Sequence, residues 1–188
     1  MNRKIAFLFA VLIVVCALYR MVPYEMRPEW LGAPQIAMAI FAGSVIKDRK
    51  WAFAVPLFSM LFSDILMQGM HWANPTAMAP GFYKGQLLNY ILILSTTVIG
   101  FFINSKKASQ VLAGAVAAPV IYFLLSNTAV WIGGGGYFRP KTFDGLLLTL
   151  TDGIPFLKTS LAGTLLFSGV FFGSAALLTS ERRSLAKA

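Results

Sequence analysis

Trp51–Met70 reads WAFAVPLFSMLFSDILMQGM, and the whole chain is organised around how that stretch is interpreted. Its 20 residues, at 1.5 Å rise each, span about the 30 Å hydrocarbon core of a bilayer. One acid interrupts it, Asp64, directly after Ser63. An ionised carboxylate inside a membrane costs about 2.5–3.5 kcal/mol on insertion scales, so such a residue faces a bundle interior or a wet cavity and has a partner. The remaining polar residues are sorted by whether they could share that cavity.

Composition supports the membrane reading. The chain has 188 residues, 57% of them hydrophobic and only 12% charged, against about a quarter charged in a soluble domain. At this length we expect one domain over residues 1–188, an all-α integral membrane bundle. The net charge of +9 does not point to nucleic acid, because the basic residues fall in short clusters between apolar runs, as topology signals do. The single Cys16 allows neither an internal disulfide nor a cysteine metal site. Asn2-Arg3-Lys4 followed by Ile5–Leu18 imitates a signal peptide, but no small-x-small cleavage site follows, so an uncleaved first span is expected.

Six spans are expected: 5–22, closed by Pro23; the short, Ala- and Gly-rich 33–46; 51–70; 86–103; 108–132; and 158–178. The apolar piece Leu146–Leu150, between Asp144 and Asp152, reads as a separate half-helix or re-entrant segment. Alternate connections collect ten Lys and Arg on one side, including Lys47, Arg49, Lys50, Lys106 and Lys107, and six on the other. The positive-inside bias places both termini in the cytoplasm, which requires an even number of spans. The cytoplasmic turns are short; the outward connections are long and hold most remaining polar and aromatic residues.

Several residues could line an outward pocket above Asp64. His71 follows Asp64 by seven positions, which shares a helix face if helicity persists, but a lone histidine is not a zinc site, and no metal centre is expected. Asn74, Tyr83 and Tyr90 come from the next loop and helix. Asn127 and Trp131 are four apart on one face; an amide within the membrane must be satisfied by a neighbour or a ligand, whereas a tryptophan there also serves as an interfacial anchor. Arg139 and Lys141 offer countercharge to Asp64 or to an anionic ligand. Gly133–Gly136 is a mobile connection and not a phosphate cradle, since no Gly-Lys-Ser/Thr follows it. Ala6 and Ala10 form a small-xxx-small pair suited to close helix docking.

Ala33–Gly43 running into KDRK, then VPLFSMLFSDILM, SNTAVWI, YFRPKTFDGLLL and IPFLKTSLAGTLLFSGVFFG, together resemble a family of small six-span bacterial inner-membrane proteins of unassigned function. That family in turn looks like the substrate-binding S components of energy-coupling factor (ECF) vitamin transporters, nearest to the solitary cobalamin transporters of the BtuM type. The resemblance implies a six-helix S-component-like fold with an outward vitamin pocket, Ala6 and Ala10 docking a transmembrane partner, and Asp64, Tyr83 and Arg139 near the ligand. BtuM-type proteins carry a cobalt-ligating cysteine in the third-to-fourth-helix connection; this chain has none there, and His71 is the nearest substitute.

The function expected is therefore non-enzymatic uptake of a vitamin-like small molecule, with no cofactor of its own and a corrinoid as one candidate cargo. The expected partners are membrane lipids, the small-molecule substrate and ECF transmembrane and ATPase subunits, since the chain has no nucleotide-binding motif. Two other readings stand beside it: an intramembrane enzyme using Asp64 and His71 on a lipid or isoprenoid, and a non-catalytic membrane subunit.

Overall fold

The computed structural model describes residues 3–22, 26, 28–75 and 79–185, with side chains at Phe7 and from Phe9 to Leu178 inside those bounds. Six helices make up the described chain: α1 Arg3–Met21, α2 Gln35–Val45, α3 Arg49–Ala73, α4 Gln86–Gly100, α5 Ala108–Gly133 and α6 Phe143–Leu185. The protein is all-α over the described residues, and three segments are long and apolar enough to cross a membrane: Arg49–Ala73, Ala108–Gly133 and Phe143–Leu178.

The core is built around α2. Its residues from Gln35 to Gly43 are all buried, and it packs against α3, α4, α5 and α6. Small residues make this possible. A β-carbon on Gly43 would sit 2.2 Å from the Thr97 carbonyl oxygen, and one on Gly100 would sit 2.4 Å from that of Ile40, so α2 and α4 cross backbone to backbone. Beside the crossing, Phe41 gathers the rings of Phe9, Phe171 and Phe172 at centroid distances of 5.7, 5.9 and 5.0 Å. With 11 and 15 residues, α2 and α4 are shorter than a regular span.

Outside this core the helices expose large apolar side chains, among them Leu87, Ile91, Leu124, Ile132, Phe143 and Phe156. A surface of this kind is costly in water and suits lipid. The caps are local. Asp48 accepts from the backbone N–H of Lys50 at 2.9 Å to start α3, and Gly134 ends α5 at φ 70°, a left-handed turn that favours glycine.

The expected half-helix at 146–150 does not stand apart. It is the first part of α6, which runs unbroken for 43 residues, about 64 Å. Gly153 and Pro155 lie inside the helix. Gly153 is there because a β-carbon would come within 2.5 Å of Asn127 Oδ1 on α5; Pro155 forfeits one ladder bond that packing against α5 offsets.

Connectivity sorts the ends of the bundle. The short turns after α2 and α4 carry Lys47, Lys106 and Lys107 at one end, with Arg49 and Lys50 opening α3 beside them. The three longer connections, α1–α2, α3–α4 and α5–α6, lie at the other. The first of these is pinned to α6. Gly32 N–H donates to the Thr159 carbonyl at 2.9 Å; a β-carbon on Gly32 would meet that carbonyl oxygen at 2.6 Å, and one on Gly163 would meet the Gly32 carbonyl oxygen at 2.5 Å, so neither tolerates a side chain.

Candidate functional site

Asp64 is fully buried, but it does not lie open above a pocket. Arg20, from the last turn of α1, places one guanidinium nitrogen 2.6 Å from Asp64 Oδ1, near enough to pair charges though off hydrogen-bond alignment. The other guanidinium nitrogen donates to Ser63 Oγ, and to the Met60 carbonyl at 3.3 Å. Oδ2 accepts from the Gln86 side-chain amide at 2.5 Å and from the Tyr90 hydroxyl. The α3–α4 connection closes over this group. Gly81 lies so near α3 that a β-carbon would meet the Asp64 carbonyl oxygen at 1.9 Å, and its own carbonyl accepts from Gln86 at 3.1 Å. Every charge in the cluster is answered from a different helix, so it ties α1, α3 and α4 together.

The open space is elsewhere. A cavity of about 570 Å³ lies between the C-terminal half of α5, the N-terminal half of α6 and residues 28–33 of the α1–α2 connection. Its wall carries two acids, Glu29 and Asp152, and the rings of Tyr122, Tyr137 and Phe156. Asn127 faces it from α5 and anchors its amide nitrogen on the Phe123 carbonyl at 2.9 Å. Arg139 approaches Asp152 from the α5–α6 connection as a fork, with contacts of 3.0 and 3.1 Å. These hydrogen bonds raise the Arg139 pKa above its ordinary value, and the guanidinium also lies 5.5 Å from the centre of the Tyr137 ring.

The residues expected around Asp64 are thus divided. Tyr90 joins Asp64 in the buried cluster. Asn127 lines the cavity. Arg139 and Lys141 do not answer Asp64: Arg139 pairs with Asp152, and Lys141 lies 5.4 Å over the Trp131 ring, whose indole N–H donates to the Pro140 carbonyl at 2.8 Å. Tyr83 is exposed and its hydroxyl accepts from Asn89 at 2.9 Å; Asn89 in turn accepts from Tyr122 at 2.6 Å, which links the α3–α4 connection to the cavity wall. His71 is half-buried in the last turn of α3, helical as the seven-residue spacing requires, but neither it nor exposed Asn74 reaches the cavity wall. Ala10 is exposed on α1, whereas the Ala6 side chain lies outside the described residues.

Sequence reasoning missed Arg20, Gln86 and Asp152. The first had a signal, being the one charged residue within the expected span 5–22. Gln86 and Asp152 had none, since both read as ordinary helix-end or loop polarity.

The family model that matches covers residues 1–186 and is described as a family of unknown function, DUF6580. The chain belongs to the DUF6580 family. No curated protein and no solved structure matches this DUF6580 chain. Its chemistry therefore has to be read from its own side chains. Among the described residues no group of three or more His, Cys, Asp or Glu could hold a metal ion, and the cavity wall carries neither cysteine nor histidine. The carboxylate of Asp64 is committed to Arg20, Gln86 and Tyr90, an arrangement suited to holding helices rather than to exchanging protons with a substrate.

Proposed function

We propose that this DUF6580 protein is a six-span inner-membrane protein that captures a vitamin-like small molecule from outside the cytoplasm, in the manner of an ECF S component, and delivers it inward. The observation that carries the proposal is the 570 Å³ cavity at the end of the bundle opposite the basic turns. Cavities of about 300–1,000 Å³ with an apolar wall and a few converging polar groups are those that take drug-sized ligands. The positive-inside bias orients that end away from the cytoplasm. The pinned α1–α2 connection, which forms one wall, and the exposed apolar helix faces support the same reading. In this proposal α1, α2 and α4 also cross the membrane, the short α2 shielded from lipid by its neighbours, and exposed Ala10 belongs to the face that docks a coupling subunit. A ligand of one or two rings matches the cavity better than a whole corrinoid held through its metal.

The test is direct. The full chain is purified in mild detergent and heated with and without each member of a water-soluble vitamin panel, and material released on denaturation is identified by mass spectrometry. A stabilising compound that also restores growth of the matching auxotroph through this protein alone, or with ECF subunits, is the expected result. Absence of any co-purifying or stabilising compound, with no rescued auxotroph, refutes the proposal.

A further inference from the structure

The cavity's hydrogen-bonding capacity is lopsided. On its α5 wall the Ser126 hydroxyl donates to the Phe123 carbonyl at 3.3 Å, and Asn127 spends an amide hydrogen on the same oxygen at 2.9 Å. On its α6 wall Thr149 donates to the Gly145 carbonyl at 2.8 Å and Thr159 to that of Phe156 at 3.0 Å. The Tyr122 hydroxyl gives its proton to Asn89 at 2.6 Å. The Ser126, Thr149, Thr159 and Tyr122 hydroxyls keep their lone pairs while their proton is spent inside the protein, so they offer acceptors to the cavity; Asn127 keeps its amide oxygen and one amide hydrogen, and the Tyr137 and Ser160 hydroxyls can donate as well as accept.

Charge points the same way. The chain has 16 Lys and Arg against seven Asp and Glu, yet two of those seven acids, Glu29 and Asp152, line the cavity, and no Lys, Arg or His among the described residues does. Arg139 satisfies Asp152 from outside the wall, and among the described residues no cation pairs with Glu29. The rings of Tyr122 and Phe156 add faces that attract a cation.

We infer that the cavity selects a positively charged, hydrogen-bond-donating ring compound, an organic amine or amidine rather than a carboxylate or phosphate. The inference rests on the proposed ligand-binding role and names the chemical class of the ligand. An anion entering there meets lone pairs and carboxylates and finds few donors; a cation with N–H groups finds acceptors on both helices, and Glu29 supplies its countercharge.

Three compounds of one shape separate the possibilities: 2-naphthamidine, 2-naphthamide and 2-naphthoate, titrated calorimetrically into the detergent-solubilised full chain at low ionic strength. The expected order is amidine first by roughly tenfold over the amide, with the carboxylate weakest. Glu29→Gln, at an exposed position, should leave the unfolding temperature unchanged and shrink the amidine-to-amide ratio to roughly threefold or less. Ala33→Trp and Ser160→Phe, which fill the cavity from two walls, should each abolish binding; having both guards against one failing to fold. The inference is overturned if the amide or carboxylate binds as tightly as the amidine and Ala33→Trp or Ser160→Phe removes that binding, an outcome that leaves the ligand-binding proposal standing. It is equally overturned if amidine binding survives both cavity-filling variants, or if Glu29→Gln leaves the ratio unchanged. If none of the three compounds binds and the vitamin panel is silent too, both fall together.

Discussion

Removing Arg20 is the sharpest perturbation of the fold, because the arginine answers a carboxylate that has no route to water. Arg20→Met keeps most of the stem's volume and deletes the charge. Removing one partner of a buried ion pair costs about 3–5 kcal/mol, mostly the penalty for the charge left behind. Two features place this case at the lower end: the Arg20 side chain is 18% exposed, and Asp64 retains the Gln86 and Tyr90 donors. We expect a loss of about 3 kcal/mol, a fall of about 6–12 °C in unfolding temperature for a chain of this size. Asp64→Asn should cost a similar amount, since the new amide opposes that of Gln86 and Arg20 loses its contact with a carboxylate. The double variant should cost less than the sum by at least about 1.5 kcal/mol, because the two groups are in contact. The assay is thermal unfolding in dodecyl maltoside, followed by near-ultraviolet circular dichroism for all four proteins. Arg20→Met within about 0.5 kcal/mol of the parent, or single effects that add within that margin, would show that the pair carries no net stability. At a temperature where Asp64→Asn remains folded, its affinity for any cavity ligand should match the parent's, since Asp64 is absent from the cavity wall.

Other outcomes follow from the same geometry. Gly43→Leu would drive a side chain into the Thr97 backbone, which cannot give way, so its cost should reach or exceed about 1–3 kcal/mol; Gly169→Ala, with nothing within 4 Å, should stay within about 0.5 kcal/mol, and melting curves of the two make the comparison. Gly81→Ala should lift the α3–α4 connection from the Asp64 turn, read as faster amide exchange at Phe82 and Gln86 and easier proteolysis between 79 and 85, with little change at the α2–α4 crossing. In a Cys16→Ala background, single cysteines at Lys47 and Ser105 should react with an impermeant maleimide only from the cytoplasmic side, and those at Phe82 and Phe138 only from the other; labelling of all four from one side would overturn the proposed orientation.

What the sequence determined by itself was the chain's greasiness, its helices and the alternation of its loops. These are local quantities: apolar run length and the charge clusters at Lys47–Lys50 and Lys106–Lys107. It also singled out Asp64, because one acid in an apolar run is expensive wherever the run ends up. What only the tertiary structure decided was which groups meet. Arg20 and Asp64 are 44 positions apart, and nothing in either neighbourhood specifies the other until α1 packs on α3. Arg139, offered by the sequence as countercharge to Asp64 or to an anionic ligand, turned instead to Asp152 thirteen residues on, because the unbroken α6 presents that carboxylate beside the connection. The separation of Leu146–Leu150 from the 158–178 span was misread for a related reason: Gly153 and Pro155 between them disfavour helix by intrinsic propensity, and packing against α5 outweighs it. The cavity moved away from Asp64 on the same principle. Local chemistry says which residues need partners, and only packing across the bundle says which partners they get.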